Sequence, residues 1–156
     1  MKRVAAILLA LVILTAARCS MFVSAPEQQK AGPKTVLVLW KESRFKQEVI
    51  DIVRPALERR GYTVAIDATK RGKFYRSADY GAVVYMAEYW MMHTPYHAKH
   101  YFAKNKETRN TLFVVTSGDP DIEIHKPFDA VTSASKQNSV QPVADEITEK
   151  LLRILK

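Results

Sequence analysis

The sequence predicts an α/β domain on a parallel sheet, spanning residues 34–156. Three observations carry this. Continuous apolar runs of strand length recur along that stretch, and they alternate with segments whose apolar residues repeat at helical spacing. Proline, glycine and polar clusters separate the two kinds. Unbroken apolar runs suit strands buried on both faces, which requires helices on each side of the sheet.

The first run is Thr35-Val36-Leu37-Val38-Leu39-Trp40. A helix follows, with Ser43 as its cap and Phe45, Val49, Ile52, Val53, Ala56 and Leu57 on one face. Gly61 stands where a glycine ends such a helix, and Pro55 inside it is expected to kink it or to cost a hydrogen bond. Residues 62–66 form the second predicted strand and 81–86 the third. Between Asp67 and Ala78 the chain is polar and basic, with room for at most one short helix. Thr94 and Pro95 open the next helix as cap and first-turn proline. Residues 111–116 are the fourth strand and 128–132 a shorter fifth. Pro142 begins a final helix with Val143, Ile147, Leu151 and Ile154 on one face.

Ahead of the domain, Met1-Lys2-Arg3 is a positive start, and residues 4–17 are apolar except for Thr15. This is the pattern of a secretory signal, and it is shorter than the ~20 apolar residues of a full membrane span. Val23-Ser24-Ala25 resembles a cleavage site, and residues 26–33 read as a polar linker. Three fates are open for residues 1–25: cleavage as a signal peptide, retention as a signal anchor, and lipidation at Cys19. Each places the domain in an exported, periplasmic or extracytoplasmic compartment.

An apolar content of 47% and a charged content of 26% exclude a disordered or fibrous chain. Three of the eight net positive charges lie in the leader, leaving the remainder mildly basic at +5. No basic run is interleaved with a nucleic-acid reader motif, so no nucleic-acid partner is expected. Cys19 is the only cysteine, so the domain has no disulfide, thiol nucleophile or thiolate metal site. His93, His97 and His100 share one segment with Glu88, yet their spacing matches no metal motif.

Three stretches resemble the flavodoxin-like family, including the menaquinone-dependent protoporphyrinogen oxidase group. Ser77-Ala78-Asp79-Tyr80-Gly81-Ala82-Val83-Val84 is similar to the family's entry to the third strand. Residues 87–102, rich in Tyr, Trp and His, resemble its flavin-side loop. Thr116-Ser117-Gly118-Asp119 resembles the turn after its fourth strand. The resemblance implies a three-layer sandwich with strand order 2-1-3-4-5. It also implies non-covalent FMN at the carboxyl ends of the strands.

On that reading, Tyr89, Trp90 and Met91 with Ser117, Gly118 and Asp119 would hold the flavin ring. Tyr85, Tyr101 and Phe102 suit the core instead. The phosphate would meet the first loop and helix start. The family uses a glycine-containing Ser/Thr-rich loop there, whereas this chain has Trp40-Lys41-Glu42-Ser43-Arg44-Phe45-Lys46 and no glycine between Gly32 and Gly61. Lys41, Ser43, Arg44 and Lys46 would have to replace backbone amides, aided by the helix dipole. Two functions follow. One is an FMN redox protein passing electrons at the membrane or envelope, with a protein or quinone partner. The other is a flavodoxin-shaped binding module that has lost its flavin.

Overall fold

The computed structural model describes residues 31–88, 96–106, 109–117, 129–134 and 139–156. Five strands form one sheet: β1 (Gly32–Trp40), β2 (Thr63–Ala68), β3 (Tyr80–Glu88), β4 (Thr111–Ser117) and β5 (Asp129–Ala134). Every neighbouring pair is parallel, and the order is β2-β1-β3-β4-β5, as expected. The helices are α1 (Arg44–Glu58), α2 (Tyr96–Lys104) and α3 (Val140–Ile154).

Alternation along each strand divides the core in two. Val36, Val38, Ala82, Val84, Met86, Leu112, Val114 and Val131 face α1 and α3, burying Val49, Val53, Leu57, Val143, Ile147 and Leu151. Leu37, Leu39, Val83, Tyr85, Ala87, Phe113 and Val115 face the other way, covered by Ala98, Tyr101 and Phe102 of α2. The strands are thus buried on both faces, which is why their sequences are unbroken apolar runs.

Several local expectations need correction. Helix α1 buries Ile50 and Lys46 rather than Ile52 and Ala56, which are only partly covered. Pro55 lies inside it as expected, with no N–H to give to the helix, and the closing turn carries Gly61 at φ 82°. That positive φ suits glycine. Helix α3 begins at Val140, with Pro142 inside its first turn, where a missing N–H costs nothing. Residues 69–79 form two 3₁₀ segments, Thr69–Phe74 and Ser77–Asp79, not one short helix. They are held because Gly72 and Tyr75 are buried against the aromatic face of the sheet. Strand β1 starts at Gly32, ahead of the expected start at Thr35, since Gly32 pairs with Tyr80. A Cβ on Gly81 would lie 2.1 Å from the Pro33 carbonyl oxygen, so β1 and β3 approach closely there.

Candidate functional site

The carboxyl ends of β1 and β3 lie side by side, and the N-terminus of α1 opens onto them. Four backbone N–H groups are unsatisfied at any helix start, and the dipole there favours an anion. In this chain the side chains expected to bind an anion are committed to one another. The Ser43 hydroxyl caps α1 by accepting from the Lys46 amide at 3.4 Å. Lys46 is fully buried, and its ammonium donates to the Lys41 carbonyl oxygen at 3.2 Å and to Glu88 Oε1 at 3.5 Å. Lys41 donates to Glu88 Oε2 at 2.6 Å. Arg44 turns away to pair with Glu48 one turn on, at 2.9 Å.

The electrostatics follow from burial. Loss of water around Lys46 lowers its proton affinity, and the Glu88 charge opposes that only in part. The hydrogen bond from Lys41 holds the Glu88 carboxyl below the usual carboxylate range. Glu88 thus stands as a carboxylate in the corner where the resemblance places a phosphate.

The expected site residues divide accordingly. Lys41, Ser43 and Lys46 meet at one corner, together with Glu88, which sequence reading named only as a possible metal partner. Arg44 lies at the same helix start but faces Glu48. Tyr89, Trp90, Met91, Gly118 and Asp119 lie outside the described residues, as do His93, Thr94, Pro95 and residues 1–30. Ser117 ends β4, its backbone in register with Ala134 of β5. His97 and His100 are exposed on α2, edge-on to the Tyr96 ring.

The residues present do not fit an FMN phosphate as they are arranged. The two ammonium groups already face a carboxylate, the hydroxyl is used in capping, and the loop lacks the glycine that lets backbone amides approach. A phosphate would have to displace Glu88, whose own charge opposes it.

The order, direction and layering of these elements define a flavodoxin-like fold. No family model and no curated protein matches the chain. Among solved structures it is similar to the rubredoxin oxygen:oxidoreductase of the anaerobe Desulfovibrio gigas, at 11% identity and a TM-score of 0.50. The match covers 81% of this chain and 38% of that one, so this chain spans well under half of its neighbour's length. At that identity the likeness speaks for the fold.

Proposed function

We propose that the protein is an exported flavodoxin-fold binding module, tethered to a membrane by its N-terminal segment and working without bound FMN. The observation that carries this reading is the Lys41–Glu88–Lys46 network, which fills the phosphate corner with the chain's own charges. The sequence immediately after Glu88, Tyr89-Trp90-Met91, supplies an aromatic segment suited to a protein or envelope partner.

That same segment favours a second reading, an FMN-dependent electron carrier with a protein or quinone partner, because flat aromatic groups also suit an isoalloxazine ring. The absorption spectrum of the protein purified from its native envelope separates the two. The expected spectrum has the tyrosine and tryptophan bands alone. Visible flavin bands at about one flavin per chain would establish the second reading.

A further inference from the structure

We propose that the edge of the sheet where the strands begin is a docking surface for anionic phospholipid. It would hold the domain against the membrane with the α1 corner facing outward.

A parallel sheet collects strand starts and helix ends at one edge. Here hydrogen bonds tie the segments of that edge together. Asn110 Nδ2 donates to the carbonyl oxygens of Ser77 and Tyr80, each at 2.9 Å, and Asn105 Oδ1 accepts from the Ser77 amide at 2.8 Å. The Tyr62 hydroxyl donates to the Leu155 carbonyl oxygen at 3.4 Å. These segments, with the start of β1, present Lys34, Arg59, Arg76, Lys106, Arg109 and Lys156, all exposed. None of the six has a carboxylate partner among the described residues. The acids nearby are largely spent: Glu58 pairs with Arg54 at 3.2 Å and Glu149 with Arg153 at 3.4 Å, leaving Asp79 exposed. Glu107 lies outside the described residues.

Two of these cations have an ordinary explanation. Arg59 and Lys156 follow helix ends, where positive charge complements the dipole. Lys34, Arg76, Lys106 and Arg109 lie on a strand or in connecting segments, where the fold asks for no cation. The opposite corner differs, because there Lys41, Arg44 and Lys46 are each matched by an acid.

The chain also enters the domain at this edge, since Gly32 begins β1 opposite Tyr80. Residues 18–31 separate it from the apolar segment. A stretch of that many residues reaches at most about 50 Å. With the apolar segment in the bilayer, the basic edge is the part of the domain nearest the lipid. Screening confines the attraction to about 8 Å at physiological salt, so the tether supplies nearness and the cations supply orientation. Each cation close to an anionic leaflet contributes about five-fold to association.

The inference rests on the tethered reading, and one experiment separates their failures. The full chain is reconstituted into neutral vesicles and into vesicles with about a third anionic phosphatidylglycerol. Lysine acylation rates are then mapped by mass spectrometry. Lys34 and Lys106 are expected to react about five-fold or more slowly in anionic vesicles. About half-molar salt should restore their rates, and Lys70, exposed after the end of β2, should not change. The combined variant Arg59→Gln, Arg76→Gln, Arg109→Gln, shown to be folded by circular dichroism, should lose the protection. Equal rates in both vesicles, or protection of Lys70, would overturn the orientation while leaving the tether intact. Failure of the chain to float with neutral vesicles would remove the tether and the proposal with it. Stronger protection by soluble polyglutamate in neutral vesicles than by anionic lipid would reassign the edge to an acidic protein.

Discussion

Replacing Tyr85 with alanine should lower the unfolding free energy by about 3–5 kcal/mol, the range for truncating a buried aromatic in a core. Tyr85 is wholly buried on β3. Its ring lies 5.1 Å from that of Tyr101, 5.5 Å from Phe102 and 6.0 Å from Phe113, centroid to centroid. It therefore joins α2 to two central strands, and alanine would leave a cavity where the surrounding rings cannot easily collapse. Burial also pushes its phenol well above the ordinary tyrosine value, so the hydroxyl stays neutral through the accessible pH range. Tyr85→Phe keeps the ring and removes a buried hydroxyl without a hydrogen-bond partner among the described residues, so it should be neutral or slightly stabilising. Urea unfolding of both variants, followed by far-ultraviolet circular dichroism, checks this. A loss below ~1 kcal/mol for the alanine variant would mean that α2 is not packed on this face.

The charged corner should respond in opposite directions to two substitutions. Removing one partner of a buried pair costs about 3–5 kcal/mol, because the remaining charge is left uncompensated. Glu88 has a side chain 39% exposed, so water softens the loss, and Glu88→Gln should cost about 1–2 kcal/mol at neutral pH. Lys46→Met replaces a desolvated ammonium with an apolar chain of similar length and leaves Glu88 with Lys41. It should raise stability by about 1 kcal/mol.

The pH dependence carries the same signature. Glu88 has a lowered folded pKa, so its contribution is complete above the unfolded value near 4.5 and is lost as pH falls through the lower folded one. Lys46 also has a lowered folded pKa. Between that value and 10.5 the unfolded chain binds more protons, so the native protein gains stability as pH rises through the window. Glu88→Gln should lack the acid limb and Lys46→Met the alkaline one. Denaturant midpoints measured from about pH 3 to 11 test both limbs. A destabilised Lys46→Met at neutral pH would mean that the buried ammonium is a net support of the fold.

The sheet was legible because each strand is buried on both faces and so reads as an unbroken apolar run. Helix α1 was legible as a helix but not in its orientation. Phe45, Val49, Val53 and Leu57 mark one stripe, and its flank is completed by Lys46 and Ile50, four residues apart. A lysine at such a position reads as solvated, because its partner Glu88 is distant in sequence and nothing local reveals the pairing. Residues 69–79 were illegible for a related reason. They are polar and basic, and what fixes them is tertiary: Gly72 beside Tyr85, Leu39 and Tyr101, and the Tyr75 hydroxyl donating to Asp67. Of the expected site, the corner residues were named because the flavodoxin resemblance places a phosphate at the first loop and helix start. Their mutual neutralisation was not legible, since it depends on how β3 ends beside β1.

Closure of that corner is tested most directly by titrating the full chain with FMN and following quenching of tryptophan and flavin fluorescence. The wild-type protein should show no saturable quenching up to about 100 µM, a hundred times a micromolar dissociation constant. Saturable micromolar binding by the folded wild type, weakened by both Lys41→Ala and Lys46→Met, would show that a phosphate displaces Glu88 and that the corner is a flavin site after all.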